Sequence, residues 1–141
     1  MADATTSPSE FATRTMKSIT TPEIIIEEIS ATHLNGYVDL GPEQHTPFGT
    51  VHGGVYCSIV ESVGSMGAGY AVADRGQYAV GLNNSTDFFR PFDSGRARVT
   101  AEAIQQGRTQ QLWLIVISDE ATGKVMARGQ LRAHNLERPQ S

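Results

Sequence analysis

The triplet His52-Gly53-Gly54 is followed, eight residues beyond Gly53, by Glu61, the only Asp, Glu, Lys or Arg between Val51 and Ala73. A lone carboxylate held in a cleft can serve as a general base or a nucleophile. Paired glycines let another molecule approach the backbone closely. The first N–H groups of a helix lack intrahelical partners and carry the positive end of its dipole, so they can stabilise a developing oxyanion. Plainer readings stand beside these. The glycines could make only a tight loop-to-helix turn, and Glu61 could be a buried acid satisfied by hydrogen bonds or an arginine.

The element that must hold these groups is one long helix. Val55, Ile59, Val63, Met66 and Tyr70 recur at three- and four-residue steps and form an apolar stripe. The pattern predicts a helix from Gly53 to Ala73, closed by Asp74-Arg75-Gly76-Gln77. On a helical wheel Glu61 falls nearly opposite the stripe, among Gly54, Cys57, Gly64, Ser65 and Ala68. A solvent-facing side normally carries long polar residues. A face of small residues predicts that something packs on it and that Glu61 is partly buried. Gly53 and Glu61 are separated by a rise of roughly 12 Å, too far for both to meet one carbonyl carbon within a subunit. A symmetric dimer, with the helix end of one chain facing the helix middle of the other, removes the difficulty.

Around this helix the chain reads as strand. Residues 23–30 and 32–41 form two strands joined by a turn, and 42–50, with two prolines and a glycine, form a loop. Four strands follow at 78–89, 97–107, 110–119 and 124–135. The fold class is therefore α+β, one helix with a five- to six-stranded antiparallel sheet. Residues 1–18 read as a flexible arm with a short helical turn near Phe11–Met16, and 19–141 as a single domain.

Composition narrows the function. The chain has 141 residues, 39% of them hydrophobic, enough for one core. No run suits a membrane span, no basic and apolar leader opens the chain, and Cys57 is the only cysteine, so the expected compartment is the cytoplasm. The four histidines lack zinc-like spacing, and no metal is expected. Dinucleotide, phosphate-loop and serine-hydrolase motifs are missing, and no cofactor is expected. Residues 1–87 hold three basic and ten acidic side chains, and 88–141 hold eight and five. The basic second half suits an anionic partner or is simply a solvated strand surface. The net charge of −4 argues against nucleic acid.

"VHGGVYCSIVES" followed by "NNSTDFFRP" resembles the hotdog-fold acyl-CoA thioesterases, within them the PaaI-type and 4-hydroxybenzoyl-CoA thioesterase-like branch. The likeness spans about residues 20–136. It implies a long helix wrapped by an antiparallel sheet, and a homodimer that assembles into a homotetramer. It also implies an acyl-CoA substrate, with Gly53 or Gly54 polarising the thioester carbonyl. Glu61 of the partner would attack that carbonyl or activate water, with Ser65 one turn on beside the attacking water. His52 would fix the helix entry. A thioester is electrophilic and its thiolate leaves readily, so one carboxylate and one oxyanion donor suffice. The resemblance places Arg90, Arg108 and Thr109 near the CoA moiety, with Arg132 and Arg138 as weaker candidates. Relatives carry an Asn or Gln a few residues before the histidine. Gln44 or Thr46 stands nearest here, with Phe48 beside them as an acyl contact. Cys57, Tyr56 and Trp113 read as packing residues. The alternatives are a non-catalytic acyl-CoA-binding or assembly module, and a hydratase, whose Asp and His motif is missing.

Overall fold

The computed structural model describes residues 22–139. The expected arm at 1–18 and its helical turn lie outside them. Strands β1 (Ile24–Ile29) and β2 (His33–Leu40) come first, then a short 3-10 turn at Pro42–Gln44 and the helix α1 (Gly53–Ala73). Four strands follow: β3 (Gln77–Phe88), β4 (Gly95–Gln106), β5 (Gln110–Asp119) and β6 (Val125–Glu137). The helix limits and the number of strands are those the periodicity predicts.

All six strands form one antiparallel sheet in the order β1-β2-β4-β5-β6-β3. The period of two is visible in burial. Gln111, Trp113, Ile115 and Ile117 of β5 face the helix, as do Leu131 and Ala133 of β6, while Arg128, Gln130 and Arg132 face away. Each large side chain fully buried in this layer, Trp113 and Ile115 among them, contributes about 1.5–3 kcal/mol. The sheet order leaves β3 on an edge, twelve residues long and paired on one side only.

The helix packs with a different face from the one its apolar stripe predicts. Val55, Ile59 and Val63 are buried, but Met66 and Tyr70 are exposed. The buried face continues instead through Gly64, Gly67, Ala68 and Val72. A methyl group on Gly64 would come within 2.6 Å of Leu131, and one on Gly67 within 2.8 Å of Trp113. These two glycines let the helix sink onto β5 and β6, which turns the buried face roughly 80° away from the stripe. Half of the small-residue face is thus covered by the chain's own sheet. Glu61 lies on the shoulder of the helix, where it meets β3, rather than opposite the core.

Candidate active site

His52 caps the helix. Its backbone is extended, and Nδ1 accepts the Gly54 N–H at 2.8 Å. This bond fixes the neutral tautomer with its proton on Nε2. The His52 carbonyl takes the Val55 N–H at 2.9 Å, and its own N–H goes to Gln44 O at 2.9 Å. The two glycines are therefore not equivalent. Gly54 has spent its N–H on the cap, and Gly53 keeps its N–H without a protein partner among the described residues. The ring of Phe88, at the end of β3, lies against Gly53 and 6.2 Å from the Tyr56 ring.

Two turns further along, Glu61 reaches β3. Its Oε1 lies so close to Gly81 that a methyl group there would overlap it. Its Oε2 receives a 3.4 Å bond from Nδ2 of Asn84. The expected partial burial of Glu61 is not found in the single chain, where the side chain is exposed. The shoulder it occupies lies beside β3, the edge strand, and none of the described residues covers it. Ser65, one turn on, is half-buried.

Other expected residues are more scattered. Gln44 is buried, and its Oε1 takes the Gly41 N–H at 2.9 Å, so it braces its own loop. Thr46 Oγ1 takes the Phe48 N–H, and Phe48 stands 77% exposed at the loop tip. Arg90 donates from Nε to the Val125 carbonyl at 3.1 Å, at the start of β6. Thr109 accepts from the Asn135 N–H near the other end of that strand. Ten strand residues separate the two points, roughly 30 Å. One chain therefore does not gather Arg90 and the Arg108-Thr109 turn around a single phosphate group. Thr109 and Arg132 instead line a shallow cavity of about 260 Å³ with Gln110 and Gln111. Part of the basic second half is also neutralised. Arg96 pairs with Asp39 at 2.9 Å, holding that carboxyl below the usual carboxylate range, and Arg98 pairs with Glu27 and Glu120.

The sequence reading passed over Gly81, Asn84 and Thr86. The signal was present. In the sequence Asn84 and Thr86 share a period-two alternation with Val80, Leu82 and Phe88, so polar groups there must meet something, although the bulge between Gly81 and Asn83 puts Leu82 outside that face. Tyr56 and Trp113 are core residues, as expected, and Cys57 is half-buried. Among the described residues no helix is long and apolar enough to cross a membrane, and no three His, Cys, Asp or Glu side chains gather as metal ligands.

A single helix laid across a six-stranded antiparallel sheet, its N-terminus capped by His-Gly-Gly and its acid on the shoulder, is the hotdog fold. The thioesterase superfamily model matches residues 48–126. Rv1847 of Mycobacterium tuberculosis, named as an esterase, is 47% identical over 102 residues, covering 71% of this chain and 72% of that protein. Its solved structure superposes with a TM-score of 0.79 at 42% identity, over 83% of this chain and 94% of that one. The structure of S. sahachiroi AziG gives 0.77 at 41% identity, over 82% and 92%. The proofreading thioesterase EntH of Klebsiella pneumoniae is 35% identical over 97 residues, 69% of this chain and 70% of that protein. The chain belongs to the thioesterase superfamily, and its chemistry is thioester hydrolysis.

Proposed function

We propose that the protein hydrolyses an acyl-CoA thioester to the free acid and CoA in a site built by two copies of the chain. Gly53 N–H polarises the carbonyl, and Glu61 of the partner subunit attacks it or activates the attacking water. The observation that carries this reading is that both groups lie against the same unpaired edge strand, Gly53 beside Phe88 and Glu61 beside Gly81. Two β3 edges pairing antiparallel about a two-fold axis near Ser85 bring Phe88 of one chain level with Leu82 of the other. Gly53 of one chain then stands beside Glu61 of the second, and the 12 Å gap within one helix no longer matters.

Leu82 and Phe88 on this strand, and Phe89 just past its end, are each at least half exposed, which favours a covered edge over one left in water. Arg90 at the Gly53 end supplies charge for the CoA phosphates. In the dimer the Arg108-Thr109 turn belongs to a second subsite or to the partner's half. Dimers associate further into a homotetramer, and the enzyme works in the cytoplasm without a metal or cofactor. Two matched relatives bear the names esterase and proofreading thioesterase, which accords with acyl transfer to water.

Thiol release from a panel of short-chain, long-chain and aromatic acyl-CoAs tests the reading. Glu61→Gln keeps the fold and loses at least ~100-fold in kcat. Wild-type turnover in that variant refutes the role of Glu61. Binding of acyl-CoA without turnover by the wild type would favour a non-catalytic module.

A further inference from the structure

Asn84 projects from β3 toward α1 and makes three contacts. Nδ2 lies 2.9 Å from the Cys57 carbonyl oxygen and 3.4 Å from Glu61 Oε2, and Oδ1 lies 2.7 Å from Thr86 Oγ1. The amide orientation is decided by chemistry. A backbone carbonyl only accepts, so the atom facing Cys57 is the NH2 group. The Thr86 hydroxyl must then donate to Oδ1. One amide proton is directed at the helix backbone, and the other is left for the Glu61 carboxylate. Thr86 is half-buried, and its Oγ1 stands over Gly129, 2.7 Å from where a side chain at that position would begin.

We propose that Asn84, locked by Thr86, is a positioning residue for Glu61. It draws one carboxylate oxygen toward β3 and leaves the other to face the carbonyl or the attacking water. An exposed glutamate on an open helix shoulder otherwise samples several rotamers, and a reacting group displaced by about 1 Å can lose most of its rate. The chain of contacts Thr86–Asn84–Glu61 replaces that freedom with one arrangement. This proposal rests on the reading of Glu61 as the reacting acid.

The test is a double-mutant cycle with an arm that does not depend on turnover. Asn84→Ala lowers kcat about tenfold with KM unchanged, because only the reacting geometry is lost. In a Glu61→Ala background the same substitution changes the residual rate by less than about twofold. Thr86→Val lowers kcat in the same manner, and Thr86→Ser, which keeps the hydroxyl, restores it. In the nitrogen-correlated spectrum of the uniformly labelled protein, Glu61→Ala moves one of the two Asn84 side-chain amide protons and spares the one bound to Cys57.

An Asn84 that only ties β3 to the helix would give equal losses in both backgrounds and no response of its amide to Glu61. Either result overturns the proposal. If no thioester is turned over by the wild type, the reading of the active site falls. The amide spectrum still decides whether Asn84 holds Glu61.

Discussion

The Glu61 carboxylate lies against Gly81, close enough that a methyl group there would overlap Oε1. The atom in the way is the far end of a flexible side chain, and the shoulder around it is open, so the fold can accommodate the change by moving Glu61. Gly81→Ala is expected to fold with a melting temperature near that of the wild type and to lose about tenfold or more in kcat. Circular dichroism and thiol release on the same preparation check both halves.

Gly64 and Gly67 make the opposite prediction. Their would-be methyl groups meet Leu131 and Trp113, which are fully buried. Neither neighbour can give way without disturbing the core. Gly67→Ala is expected to destabilise the protein by about 1–3 kcal/mol and lower its melting temperature by several degrees. Because the lesion lies on the helix face away from Glu61, kcat well below the melting temperature should change little.

Tyr56 supplies a pH prediction. Its hydroxyl is buried with no partner among the described residues, and burial pushes its pKa from 10.0 up to about 12. Between those values the unfolded chain has lost the phenolic proton and the folded chain keeps it. Stability therefore falls as pH rises from about 10 to 12, by about 2–3 kcal/mol in all. Tyr56→Phe removes this alkaline loss, and it costs little at neutral pH because no hydrogen bond is broken. Denaturant titrations at pH 7, 10 and 11.5 on both proteins test it. An unchanged alkaline slope in the variant would show that other groups govern it.

The element order was legible because two periods are written plainly in the chain. Val55, Ile59 and Val63 repeat as a helix, and "QQLWLIVISD" carries a strand's β-branched and aromatic residues. The facing of the helix was not legible. Met66 and Tyr70 carry far more apolar surface than Gly64 and Gly67, yet the glycines win the sheet because they admit it closely. That is a property of Leu131 and Trp113 on distant strands, invisible in the helix itself. The site divided in the same way. Glu61 stood out by its solitude and Gly53-Gly54 by their position. The choice between the glycines needed the His52 ring, and the hold on Glu61 needed β3.

The central claim, that each site is shared between two chains, has a direct measurement. Gly53→Pro removes the proposed oxyanion donor, and its new Cβ, 3.1 Å from the Phe88 ring, needs that ring to shift by a few tenths of an ångström. Proline is welcome at the first helical position, and the extended backbone of His52, with ψ of 136°, suits the residue before it. Gly53→Pro and Glu61→Gln are each expected to be nearly inactive alone. When they are unfolded together and refolded, the mixed dimer carries one whole site, Gly53 from one chain and Glu61 from the other. Random pairing should then return about a quarter of wild-type activity. A mixture no more active than its separate components would contradict the shared site.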